Sequence, residues 1–183
     1  MKRLLNIICL LLLYSGISEV TAEIILDGDL SCIDYADVRI LGGNSLDPAL
    51  KPGERLLFIG GYYQCNPAKT GDLVLYRWGD TKNVAKFVRG VGGDLFAVRE
   101  IAPDQWRLEL NGQALLNSLD GDYVLSEKRS RFIRMFARKI KKDEVLLLGD
   151  KTDGSHDSTR FGLVRVNKLA GRLFSLTRKV YKR

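Results

Sequence analysis

Histidine is nearly absent from this chain. His156 is the only one in 183 residues, and cysteine occurs just three times. No Cys-x-x-Cys pair or Cys/His cluster is present, so the donors of a tetrahedral zinc site do not occur at ligand spacing, and neither a metal nor a cofactor is expected. A Ser-His-Asp triad is disfavoured as well. Asp157 directly follows the lone histidine and is badly placed to orient its ring, so His156 reads as a loop residue. Proline is scarce (4), which leaves few forced breaks in extended structure. No apolar run reaches the ~20 residues of a comfortable membrane span. No repeat or low-complexity tract is found.

The longest apolar stretch runs from Leu4 to Ile17, after Met1-Lys2-Arg3 and before Glu19-Val20-Thr21-Ala22. A positive start, an apolar centre and a small-residue site describe a signal peptide over residues 1–22, with a retained membrane anchor as the alternative. Both predict export, to the periplasm or the outer face of the cytoplasmic membrane, with residues 23–183 as a single domain. Cys9 falls inside the leader. Cys32 and Cys65 remain, either as a disulfide in an oxidising compartment or as two unrelated buried thiols. Net charge is +7 with pI ≈ 9.4. For an exported chain this points to an anionic membrane surface and away from nucleic acid.

Glycine is plentiful (18), and short apolar runs alternate with glycine-containing turns. Strands are predicted near 36–41, 54–60, 72–77, 84–90, 95–101, 105–110, 145–149, 162–166 and 171–176. Asn111-Gly112 between alternating residues is a strong hairpin signal. The fold class is mainly β, with antiparallel sheets and one short basic helical or loop insertion. That insertion, Ser126 to Lys142, carries eight Lys or Arg residues, while Phe132, Ile133, Phe136, Ala137 and Ile140 recur at helical spacing. It is read as a helix with a solvated charged face, or as an amphipathic element on anionic lipid.

Two segments offer chemistry at strand ends. Gly42-Gly43-Asn44-Ser45-Leu46-Asp47-Pro48 presents a hydroxyl on a tight connection, where glycines let backbone approach a substrate. Val84-Ala85-Lys86-Phe87-Val88 places a lysine in a strand of core character. A serine attacks well only if a base takes its proton. A desolvated lysine, its pKa lowered from near 10.4, can be that base. The alternative is a lysine pointing outward from a half-exposed strand. A third segment, Gly149 to Gly162, is polar and turn-rich, able to deliver a serine hydroxyl and a carboxylate to such a site.

Together these segments resemble bacterial signal peptidase I and its relatives, membrane-associated serine endopeptidases with a Ser/Lys dyad. The family's Ser-Met-x-Pro-Thr-Leu is matched by Ser45-Leu46-Asp47-Pro48-Ala49-Leu50, and its Gly-Asp-(Ile/Val)-Val by Gly71-Asp72-Leu73-Val74. Its lysine segment, Lys-Arg-x-x-Gly-x-x-Gly-Asp, is matched by Lys86, Gly90, Gly93 and Asp94. Leu110-Asn111-Gly112 follows, then Gly149-Asp150, Ser155, Asp157-Ser158 and Gly162. The resemblance implies the sheets of the signal peptidase I type, with Ser45 as nucleophile and Lys86 as general base. It makes Ser155 the hydroxyl that orients the lysine, Asp157 a stabilising carboxylate, and the Ser45 N–H an oxyanion donor. Leu46 and Leu50 become candidates for the pocket beside the cut. Gly43 stands where some members have a second oxyanion serine.

There are departures. Phe87 follows the lysine where the family has arginine. Thr159 also replaces an arginine, with Arg160 one place later. On a strand that shift points to the opposite face, which leaves Asp157 without its family partner. The expected substrates are preproteins cut after small residues. A dedicated pilin-precursor peptidase of a conjugation or secretion apparatus is the near alternative, and a catalytically silent peptide-binding or scaffold relative the distant one.

Overall fold

The computed structural model describes residues 28–79, 82–152 and 154–176, so the leader or anchor expected over 1–22 lies outside the described residues. The strands in chain order are β1 (Tyr35–Ile40), β2 (Arg55–Gly60), β3 (Leu73–Trp78), β4 (Lys82–Gly90), β5 (Phe96–Ala102), β6 (Gln105–Leu110), β7 (Gln113–Ala114) and β8 (Val124–Leu125). Helix α1 (Glu127–Arg134), β9 (Glu144–Leu148), the single turn α2 (Ser158–Phe161), β10 (Val164–Arg165) and β11 (Leu169–Ser175) complete the chain. Among the described residues no helix is long and apolar enough to cross a membrane.

Seven strands form one antiparallel sheet in the order β1-β2-β11-β3-β4-β9-β10, and a smaller sheet holds β5, β6, β7 and β8. Most strands fall within a residue or two of their sequence-based positions. The expected strand at 162–166 shrinks to β10, because residues 158–161 coil into α2. The Asn-Gly hairpin forms between β6 and β7 with positive φ at Asn111 (53°) and Gly112 (80°), as a tight two-residue connection requires.

β9 explains how the sheets pack. Its apolar run Val145-Leu146-Leu147-Leu148 is buried on both faces. Leu146 and Leu148 join Phe96, Leu108, Leu125 and Ile133 under the small sheet, whereas Val145 and Leu147 join Val74 and Val88. A third cluster, with Leu41, Leu56, Phe58, Phe87 and Leu173, underlies the end of β1. A continuous apolar run of this kind fits a strand covered from both sides.

The basic insertion forms a helix over eight residues only. Ser126 caps α1 and Ile133 is fully buried, as the apolar stripe predicted. The chain then leaves the helix because backbone partners wait at the start of β5. Ile140 donates to the Asp94 carbonyl (2.8 Å), and Phe96 donates to the Arg138 carbonyl (3.1 Å). Ile140 thereby enters the core by a turn, and the helix expected to reach Lys142 stops at Arg134. Non-local pairing overrides local periodicity here.

A disulfide joins Cys32 to Cys65 across 33 residues, with Cα atoms 6.1 Å apart. Asn66 next to it accepts from Asp29 N–H (2.8 Å) and donates to the Asp29 carbonyl (2.7 Å), so the bond sits in a segment already tied back to the sheet. Restricting a loop of this size in the unfolded chain stabilises by about 3–4 kcal/mol. Cys65→Ser is therefore expected to lower the urea midpoint by an equivalent amount, and dithiothreitol should do the same to wild type but nothing further to the variant.

Candidate active site

Ser45 opens a tight turn in which Leu50 N–H bonds back to the Leu46 carbonyl (2.9 Å). That helix-like curl directs Leu46 and Leu50 inward, and both are fully buried against Leu56, Phe58 and Phe87. They anchor the turn from below and do not line the open cleft, which corrects the expectation that they form a substrate pocket. The Ser45 carbonyl accepts from Asp150 N–H (2.8 Å) and Lys151 N–H (3.2 Å), so the segment after β9 grips the serine from behind.

Lys86 reaches this serine from β4. Its Nζ lies 2.6 Å from Ser45 Oγ and donates to the Ala85 carbonyl (2.8 Å), which orients the amine. The residue is only 2% exposed. Burial pulls its pKa down to about 8, opposed by the negative charge of Asp157. The outward-pointing alternative for Lys86 is thus not what the structure shows.

The polar loop brings Ser155 and Asp157 into the same region. Asp157 is buried and caps α2. Its Oδ2 accepts from Gly149 N–H (3.0 Å), and its Oδ1 accepts from Thr159 N–H (3.0 Å) and the Thr159 hydroxyl (2.7 Å). Asp157 is therefore not left without a partner. Residues 158–161 are helical, so the strand-face argument does not apply, and Arg160 donates to the Ser155 carbonyl (3.3 Å). Ser155 Oγ is buried and has no hydrogen-bond partner among the described residues. It packs on Gly149, where an added Cβ would strike both Ser155 Oγ and the Ser45 carbonyl. Tyr123, whose phenol burial raises to about 12, donates to the Gly149 carbonyl (2.6 Å). His156 rests its ring against Trp78 (centroids 4.3 Å apart) and Phe161 (5.8 Å), away from a triad role.

What sequence reasoning missed is the cluster of donors around Asp150. Fully buried, its carboxylate accepts from Ala49 N–H (3.2 Å), Arg89 (2.7 Å), Ser118 N–H (3.0 Å) and the Ser118 hydroxyl (2.5 Å). It ties together the Ser45 turn, β4 and the loop between β7 and β8. Only Asp150 was recognisable in a motif. Arg89 stands three residues after Lys86, and nothing in the sequence marks Ser118 as its neighbour. A charged hydrogen-bonded cluster in low dielectric holds its members firmly, although the buried Arg89 Nε is left without a partner among the described residues.

In front of Ser45 and Lys86 lies a cleft of about 350 Å³ between the end of β1 and the Asn83–Lys86 stretch of β4, floored by Leu56, Leu75 and Leu173. Beyond Lys86, β4 pairs with β9, but that pairing covers only Phe87 to Gly90. The strand edge at Asn83–Lys86 therefore faces the cleft.

The family model described as signal peptidase, peptidase S26, matches residues 30–177. "Probable signal peptidase I-2" of Synechocystis sp. is 26% identical over 87% of this chain and 70% of its own length. Signal peptidase IB of Staphylococcus aureus is 28% identical over 72% of each. A solved signal peptidase I from Enterococcus faecalis overlaps 58% of this chain and 97% of its own, with 19% identity and a TM-score of 0.42. With the family model spanning nearly all of the described residues, the chain belongs to the signal peptidase family, peptidase S26.

Proposed function

We propose that this protein is an exported serine endopeptidase that removes signal peptides from preproteins, cutting after small residues with a Ser45/Lys86 dyad. The observation that carries the reading is the 2.6 Å contact between a buried amine and the hydroxyl at the head of the cleft. An extended substrate adds to the free edge of β4, where main-chain hydrogen bonds supply affinity and shallow pockets select side chains. Neutral Lys86 accepts the Ser45 proton as the oxygen attacks the scissile carbonyl, and the ammonium returns it to the departing amine. Water, deprotonated by the same amine, then releases the acyl group from Ser45. The Ser45 N–H has no acceptor among the described residues and serves as an oxyanion donor.

Ser155 joins this scheme as a reserve acceptor. A buried hydroxyl with no partner is costly on its own. An ammonium formed on Lys86 during the reaction gives it one. The net positive charge suits a membrane surface, where such substrates arrive.

In the direct test, purified protein is incubated with a preprotein bearing a small-x-small site, and the products are weighed by mass spectrometry. Lys86→Ala should slow cutting by roughly 10²–10⁴-fold. Equal rates in the two proteins would remove the dyad, and failure of a folded wild type on generic preproteins but not on pilin precursors would make the substrate dedicated.

The lysine also sets a pH dependence. Activity should rise with pH along a limb centred near 8, and Asp157→Asn should move that limb to lower pH by removing the charge that favours the ammonium. Folded Lys86 holds its proton less tightly than the unfolded side chain, whose ordinary pKa is 10.5. The fold therefore gains stability as pH rises between about 8 and 10.5, where the unfolded chain binds more protons. Denaturation of Lys86→Met across that range should lack the increment.

Two hydroxyl deletions have opposite signatures. Ser155→Ala removes a group with no partner, so melting temperature should hold or rise while kcat falls roughly 10–100-fold. Thr159→Val strips Asp157 of a bonded donor and should cost about 1–3 kcal/mol of stability. If Ser155→Ala leaves kcat intact, its positioning role is lost.

Arg89→Ala leaves the Asp150 carboxylate buried without its cation, a change worth about 3–5 kcal/mol. Chemical denaturation measures it, and Arg89→Lys should recover only part, since it restores charge without the planar fork.

A further inference from the structure

The cleft in front of Ser45 has an unbalanced lining. Its floor is leucine and its ends are glycine, valine and alanine, and the charged residues it includes are Arg39 and Lys86 alone. Among the described residues no aspartate or glutamate lines it. Lys86 works in its neutral form, so Arg39 is the one fixed charge among the described residues that a bound chain meets there.

Arg39 is also held in place, unlike most surface arginines. It lies on β1, six residues before the nucleophile, and its guanidinium sits over the Phe58 ring at 5.3 Å. Phe58 is itself core. The Nε donates to Asp37 at 2.9 Å and the Tyr35 side chain also bonds the guanidinium, which fixes the fork while the residue lines the cleft. The side chain is 43% exposed, so it is reachable without rearrangement. Asp37 offsets part of the charge but does not line the cleft. A planar cation stacked on an aromatic ring, with spare donors in a rigid fork, is well suited to a carboxylate.

We propose that Arg39 is a specificity-determining residue, which selects substrates carrying an acidic side chain in the extended segment before the cut and disfavours lysine or arginine there. The inference rests on the dyad reading, because it needs the cleft to hold the acyl side of the substrate. An extended chain leaving Ser45 along the end of β1 runs toward Arg39, which places the selected side chain several residues upstream of the scissile bond at ~3.3 Å per residue. Side chains of an added strand alternate between faces, so one position, or two separated by one residue, should feel the arginine.

The experiment is a panel of fluorogenic peptides sharing one small-x-small cut site, with Glu, Gln or Lys placed in turn at each position upstream of it. For wild type, kcat/KM is expected to be at least about tenfold higher for Glu than for Lys at one position, a difference of about 1.4 kcal/mol. The preference should shrink as salt is raised, since it acts at a partly exposed site. Arg39→Gln should erase it, Arg39→Lys should keep part of it, and Asp37→Asn should sharpen it by releasing the fork. Activity of Asp37→Asn on the Gln peptides should stay within about threefold of wild type, since Asp37 does not line the cleft, and the melting temperatures of the two Arg39 variants should match wild type, a check that the fold is intact. Equal rates for Glu and Lys at every position, with cutting otherwise normal, would overturn the role of Arg39 while leaving the peptidase reading standing. No cutting of any peptide by wild type, with preproteins also untouched, would overturn both.

Discussion

The site turns on taking one amine out of water. Lys86 sits in β4 where its neighbours are core residues, and desolvation disfavours its charged form enough to bring the pKa to about 8. A lysine left at its ordinary value would be protonated at neutral pH and unable to accept from Ser45. Much of the architecture can be read as the means of keeping that amine dry and pointed. β4 is paired with β3 from Lys82 to Phe87 and with β9 beyond Lys86, and the Ala85 carbonyl takes one of the amine's hydrogens.

Holding the partner hydroxyl in register is a separate problem, solved by backbone and buried charge together. The Ser45 carbonyl is gripped by the amides of Asp150 and Lys151, while Leu46 and Leu50 are sunk in the core. Asp150 links this turn to Arg89 on β4, so the elements that carry Ser45 and Lys86 are braced by one carboxylate. The cation beside Asp150 is Arg89. Thr159 stands where an arginine was expected beside Asp157 and gives that carboxylate a hydrogen bond from its hydroxyl.

Much of the scaffold was legible from local pattern. Period-two runs marked nearly all of the longer strands, Asn111-Gly112 marked the hairpin, and the ordered motifs marked Ser45, Lys86, Ser155 and Asp157. The failures have a common cause. The basic segment carries a helical stripe through Ile140, but its backbone is claimed by the start of β5 after Arg134. Leu46 and Leu50 look like pocket residues beside a serine, yet a local curl aims them down. Arg89 and Ser118 carry no motif, and only their approach to Asp150 gives them a role.

The amino-acid sequence by itself determined the strands, the residue types at the site and the pair of cysteines, because these follow from side-chain alternation, turn chemistry and short spacings. Tertiary structure alone decided that β11, last in the chain, lies between β2 and β3, that Lys86 meets Ser45, and that Arg39 faces the cleft. Each of these depends on contacts between residues far apart in the chain, whose closure is set by the whole packed sheet and by no local signal.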